Sequence, residues 1–208
     1  MNNYTIRLAT PADAGGMLKV YAYYVLTTAN TFEYEVPSEE EFRRRTEAVI
    51  PGFPWLVCEC EGKIIGYACA HKHRERTAYQ WSPESTIYID HGYHGLGLAR
   101  VLYEVLFDIL RLQGFVNVYA GVLSTNKNST AFHKALGFEE IGLFRNIGYK
   151  LGEWHSNMWY QLHIADHKLN PGAPTAFSDL KDGAEIKNII DQSNGRLTVI
   201  TKRSASLS

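Results

Sequence analysis

The chain has no apolar run approaching the roughly 20 residues that a membrane-spanning helix needs. Its first residues, Met1 to Ala14, lack the basic stretch followed by an apolar core that marks an export leader. These absences predict a soluble, cytoplasmic protein without a membrane partner. Cysteine is scarce: Cys58, Cys60 and Cys69 are odd in number and show no C-x-x-C spacing, which argues against a disulfide framework and predicts small buried hydrophobes in strands. Neither sign of charge prevails, since 21 Lys and Arg face 22 Asp and Glu, so no basic excess points to a duplex nucleic acid as partner. There is no internal repeat. What remains, 208 residues with 45% hydrophobic and 21% charged side chains, suits one compact domain, or one domain with an appendage.

Hydrophobic periodicity and turn residues predict a mixed order of strands and helices. Tyr4 to Ala9 reads as a strand, followed by a helix that starts with Thr10 as N-cap and Pro11 and runs to about Ala29. Ser38 and Glu41 form the pattern of a capping box opening a second helix toward Val49. Pro54 to Glu61 and Lys63 to His71 read as a hairpin, Ser85 to Ile89 as a strand, and Gly97 to Gln113 as the clearest amphipathic helix, stopped by Gly114. Val116 to Leu123 continues as a strand, Asn128 to Leu136 as a short helix, and Phe138 to Arg145 with Trp154 to His163 as two more strands. The texture then changes. Asn170 to Pro174 looks like a linker, Ala184 to Gln192 a helix and Leu197 to Lys202 a strand, so residues 165–208 are expected to be an extension appended to a domain of residues 1–164.

Gly95 and Gly97 lie between a strand and the long helix, where outward-turned backbone N–H groups and a positive helix end suit an anion such as phosphate. The same glycines equally suit a tight turn with no ligand. Arg100 stands at the third glycine of G-x-G-x-x-G and no Gly-Lys-Ser/Thr follows, which weakens dinucleotide and P-loop readings. The pairs His71/His73 and His91/His94 lack a third ligand at helical or hairpin spacing, so no metal is expected. By position alone, Glu84 reads as a solvated loop carboxylate, His133 as a structural histidine, and Lys72 to Arg76 as a solvated charged loop.

Tyr93-His94-Gly95-Leu96-Gly97-Leu98-Ala99 resembles the acyl-CoA pyrophosphate loop of the GNAT acetyltransferase superfamily, with His91 or Gly92 where that pattern carries a leading Arg or Gln. Asn126 and Ser129, followed by His133-Lys134-Ala135-Leu136-Gly137-Phe138, resemble the superfamily's downstream motif in the same order and spacing. Thr28 to Glu33, Pro54 to Val57, Ala78 to Tyr88, Gly148 to Lys150 and Trp154-His155 resemble one subgroup, the phosphinothricin acetyltransferases. The resemblance covers about residues 4–164.

It implies an α/β fold with a bent mixed sheet, helices on both faces, and central parallel strands that splay to admit acetyl-CoA. The cofactor would meet Ile87, Tyr88 and Ile89 as a pseudo-strand, Gly95, Leu96, Gly97, Leu98, Ala99 and Arg100 at its pyrophosphate, and Asn126 and Ser129 beyond. Glu84 matches the subgroup's proposed catalytic base, and His133 stands where many relatives carry a Tyr thought to protonate the thiolate. Phe32, Arg74, Arg76 and Tyr79 match positions that hold the acceptor, a small amino acid or analogue such as phosphinothricin or methionine sulfoximine. Tyr149, Trp154 and Trp159 offer material for a homodimer face. A peptide N-terminus or another amine as acceptor, and a non-catalytic acyl-CoA-binding module, are the alternative readings.

Overall fold

The computed structural model describes residues 3–205. Seven strands form one sheet: β1 (Tyr4–Leu8), β2 (Trp55–Cys60), β3 (Lys63–Lys72), β4 (Pro83–Ile89), β5 (Asn117–Leu123), β6 (Glu139–Lys150) and β7 (Glu153–His163). Their order is β1-β2-β3-β4-β5-β7-β6, and every pairing is antiparallel except β4 with β5. Helices α1 (Ala14–Thr27) and α2 (Glu39–Val49) cover one face, and α3 (Leu98–Gln113) covers the other. The remaining helices are α4 (Lys127–Ala135), α5 (Phe177–Leu180) and α6 (Ala184–Ala205). This is the mixed α/β architecture the sequence predicted.

Strands β2 and β3 read as continuous apolar runs because both of their faces are buried. Leu56, Cys58, Ala68 and Ala70 pack toward α3, while the alternate residues Trp55, Val57, Tyr67 and Cys69 pack toward α1 and α2. All three cysteines are free and buried, and burial pushes the Cys58 thiol up to about 12, so it behaves as a hydrophobe and not as a nucleophile. In α3, Leu102, Val105, Leu106, Ile109 and Leu110 are fully buried, each contributing on the order of 2 kcal/mol by leaving water.

Three local expectations need correction. The Ser38 hydroxyl accepts the Glu41 N–H, but the Glu41 carboxylate does not reach back; it accepts from Arg44 at 2.7 Å and Arg45 at 2.9 Å, and these charge-assisted bonds outcompete a neutral cap. Helix α1 ends at Thr27, because the Thr28 N–H and hydroxyl both donate to the Tyr24 carbonyl and close the last turn. The segment from Leu197 to Lys202 is helical, as the last turns of α6. Ile186, Ile190, Ser193 and Leu197 recur at helical spacing and line the buried side of α6, so packing overrides the β-branched content of the segment.

Residues 165–205 do not hang free. Gln113 Nε2 donates to the Thr175 carbonyl, Trp81 Nε1 to the Gly172 carbonyl, and the buried Phe177 anchors the short α5. Helix α6 then lies against α3 and β1. Its Asn194 side chain accepts the Ile6 N–H at 2.7 Å and donates to the Ile6 carbonyl at 3.0 Å, doing for the outer edge of β1 what a neighbouring strand would do. Arg196 adds an ion pair to Glu104 on α3.

Asn194→Ala is expected to lower unfolding free energy by about 1–2 kcal/mol, because two backbone groups of β1 lose their partner. Urea titration followed by circular dichroism measures it, and an unchanged midpoint would mean that water substitutes for the amide.

Candidate active site

Strands β4 and β5 pair as parallel neighbours at one position alone, Glu84 opposite Tyr119. Beyond that rung they diverge around a cleft of about 800 Å³, lined on one side by Glu84 to Ile89 and on the other by Ala120 to Leu123. The Asp90 N–H donates to the Ile65 carbonyl in β3, so by strand alternation the backbone groups of Tyr88 and Thr86 face β3 while those of Ile87 and Ile89 face the opening. The Ile89 carbonyl is taken, since the Tyr24 hydroxyl and the His94 ring both reach it. Ile87 keeps its N–H and carbonyl turned into the cleft, where an extended chain bearing amides would complete the missing pairing.

At the far end the chain turns through Gly95 and Gly97, with φ of 77° and 78°, a left-handed conformation that costs a side chain about 1–2 kcal/mol. A Cβ at either position would meet no atom within 4 Å, so the backbone borders open space. Gly97 caps α3, whose first-turn residues Leu98, Ala99 and Arg100 line the cleft and include no acidic side chain. The arrangement suits a phosphate-bearing ligand. His91, which lines the mouth, stacks on Tyr23 at 4.5 Å and 18°.

Glu84, at the vertex, has a quarter of its side chain exposed, and its Oε2 lies 3.3 Å from His73 Nδ1. His133 lines the same cleft from α4 and is 3% exposed. Its Nδ1 donates to the Ser129 carbonyl at 2.8 Å, which leaves Nε2 as a buried acceptor without a partner. Burial lowers its basicity below the ordinary histidine range, so the ring is neutral and presents a lone pair at Nε2, not a proton.

The sequence-predicted residues separate into two groups. Glu84, Ile87, Tyr88, Ile89, Gly95, Leu96, Gly97, Leu98, Ala99, Arg100, Asn126, Ser129 and His133 all line the one cleft. Within it, Asn126 is occupied: as N-cap of α4 it accepts the Ser129 N–H and donates to Asn30. The Arg100 guanidinium donates to the Ala135 carbonyl. Arg74, Arg76, Tyr79 and Phe32 lie outside the cleft lining, all with exposed side chains, on the loop before β4 and on the loop after α1. Phe32 packs instead beside His155 and over Gly148. Tyr24 and Tyr103 line the cleft without having been singled out; Asn30, inside the Thr28 to Glu33 segment, lines it without having been given a role, and His73, weighed only as a metal ligand, stands beside Glu84, a neighbour that only the fold reveals. Among the described residues no group of three or more His, Cys, Asp or Glu side chains assembles as a metal site.

Residues 6–159 match the acetyltransferase (GNAT) domain family. The chain is 36% identical to a phosphinothricin N-acetyltransferase of Streptomyces viridochromogenes over 156 residues, covering 75% of this chain and 85% of that protein. It is 30% identical to an L-methionine sulfoximine/L-methionine sulfone acetyltransferase of Salmonella typhimurium over 164 residues, covering 78% and 96% respectively. Among solved structures, a phosphinothricin acetyltransferase of Sinorhizobium meliloti in complex with acetyl-CoA superposes with a TM-score of 0.78 at 32% identity, covering 82% of this chain and 94% of that one.

Two outcomes follow from the geometry. Gly97→Val forces a branched side chain into a left-handed position at the cradle, and acetyl-CoA affinity by calorimetry is expected to fall at least tenfold; normal affinity would move the anion site elsewhere. His133 resists protonation when folded, so the unfolded chain binds the extra proton and native stability falls as pH drops below about 6.5. Between pH 7.5 and 5.5 the melting temperature of wild type should therefore drop further than that of His133→Phe, and equal drops would contradict the buried neutral ring.

Proposed function

The chain belongs to the GNAT acetyltransferase family and is an acetyl-CoA-dependent N-acetyltransferase, and from that premise we propose that it acetylates the α-amine of a small amino acid of the phosphinothricin or methionine sulfoximine type, with Glu84 as general base. The observation that supports this reading most is the single rung between β4 and β5 at Glu84, a residue that lines the cleft where the strands part.

Acetyl-CoA supplies the thioester-bound acetyl group. Ile87 offers its free backbone groups to the amides of the cofactor arm, and the amides around Gly95 and Gly97, with the α3 N-terminus, suit its pyrophosphate. An ammonium has no lone pair, so Glu84 removes a proton as the amine attacks, directly or through water; the C–N bond forms, the C–S bond breaks, and the thiolate takes up a proton on leaving. A backbone N–H near Ile87 would stabilise charge developing on the carbonyl oxygen. His133 enters as a hydrogen-bond acceptor in its resting tautomer, and giving a proton to the thiolate would first require an imidazolium that burial disfavours.

Arg74 and Arg76 are exposed, pair with no carboxylate among the described residues and precede Glu84 on the loop that enters β4, which supports a role toward the acidic part of the acceptor. The domain of residues 1–164 carries all of this machinery, with residues 165–208 appended. On the β6–β7 hairpin, Ile141, Phe144, Ile147, Tyr149 and Trp154 are about half exposed or more, an apolar surface that supports a homodimer.

Thiol release from acetyl-CoA, measured against phosphinothricin, methionine sulfoximine, methionine sulfone, the standard amino acids and N-terminal peptides, tests the acceptor class. The sulfoximine-like amino acids are expected to give the highest kcat/KM, and a peptide that exceeds them would replace this reading. Glu84→Gln is expected to lower kcat by a factor on the order of 10² to 10⁴ with acetyl-CoA affinity intact; unchanged turnover would remove Glu84 from the base role.

A further inference from the structure

The loop after β3 carries a histidine that neither periodicity nor the family motifs singled out as part of the site, and its surroundings are unusually well defined. His73 lies at the Glu84–Tyr119 rung, where β4 and β5 begin to part. Its ring stacks on Tyr119 at 4.9 Å and 11°, and meets Trp159 at 5.1 Å and 64°. Only 13% of the side chain is exposed. Tyr119 is the register partner of Glu84, and Trp159 on β7 is the register partner of Gly121, so side chains from β5 and β7 hold the ring from two sides.

We infer that His73 is a positioning residue for Glu84, its Nδ1–H donating to Glu84 Oε2 while the other carboxylate oxygen stays free to take a proton from the acceptor. The 3.3 Å separation is at the long end for such a bond, as is common where a catalytic hydrogen bond tightens only with substrate present. A glutamate has three side-chain torsions, and a carboxylate free to sample them would face the amine only part of the time. The ring loses its own freedom to Tyr119 and Trp159 in the folded protein, so orienting Glu84 costs no further ordering when substrate arrives. Of the cations that flank His73 in the chain, Lys72 is engaged with Glu75, and Arg74 is exposed and makes no ion pair with Glu84.

This inference rests on Glu84 being the base, and the experiment separates the two. Steady-state kinetics would be run on His73→Phe, which keeps a ring for stacking and loses the donor; on His73→Asn, whose amide nitrogen can occupy the Nδ1 position; and on both changes in a Glu84→Gln background. His73→Phe is expected to lower kcat ten- to a hundredfold, with KM for acceptor and acetyl-CoA within twofold and acetyl-CoA affinity by calorimetry unchanged. His73→Asn should recover most of the loss, and neither change should matter once Glu84 is Gln. An unchanged kcat in His73→Phe, no recovery in His73→Asn, or the same loss in the Glu84→Gln background would each overturn the positioning role while leaving Glu84 as base. A Glu84→Gln enzyme with normal turnover would overturn the base assignment, and this inference with it.

Discussion

Backbone amides that face no partner are tolerated inside a protein only where something else will bond them, and the sheet here has such a place at its centre. Because β4 and β5 share a single rung, the strand edges beyond Glu84 open onto a cleft, and the elements around it are arranged to keep that opening wide and ordered. Helix α3 supports one side from below with a fully buried stripe, and Tyr103 from the same helix lies against the Ser85 hydroxyl under β4. The opening also explains why a carboxylate at this point is useful. It sits where sheet ends and cavity begins, partly open to solvent and lining the cavity where a bound group would lie.

The wall opposite depends on a buried cation. Lys150 is almost fully covered, and its ammonium donates to the Val25 carbonyl at 2.7 Å and the Thr31 carbonyl at 2.9 Å. Desolvation lowers its basicity, yet the position is favourable for positive charge, since Val25 belongs to the last turn of α1 with its unpaired carbonyl ends. The consequence is a tie from the tip of the β6–β7 hairpin to the loop after α1. That loop carries Asn30, whose side-chain oxygen accepts from the Asn126 amide at the start of α4, so the two edges of the cleft are fastened to each other through one hydrogen bond between side chains.

Much of this was legible in the sequence because it depends on short-range rules. The amphipathic stripe of α3, the glycine turn ahead of it and the apolar hairpin of β2 and β3 follow from spacing and turn chemistry, and the cleft-lining residues are concentrated in those motifs. What escaped depends on pairs distant in the chain. His73 and Glu84 are 11 residues apart across an irregular loop, and no periodicity predicts that their side chains meet. At the end of α6, Thr198 to Thr201 favour strand locally, while the helical stripe that decides the matter becomes visible only once α3 and β1 supply a surface to pack on. Glu41 shows the same limit at smaller scale, since two arginines on its own helix offered better partners than the cap.

The amide of Asn194 closes the outer edge of β1 from a point 188 residues further along the chain. During synthesis β1 is therefore made long before the helix that shields it, and its outward N–H and carbonyl groups stay bare until a further 188 residues have been added. Contacts of such high sequence separation form late and slowly, and an unprotected edge is what neighbouring nascent chains can pair with. Helix α6 thus has a meaning in time as well as in space: its arrival is the step that closes the outer edge of an otherwise complete sheet.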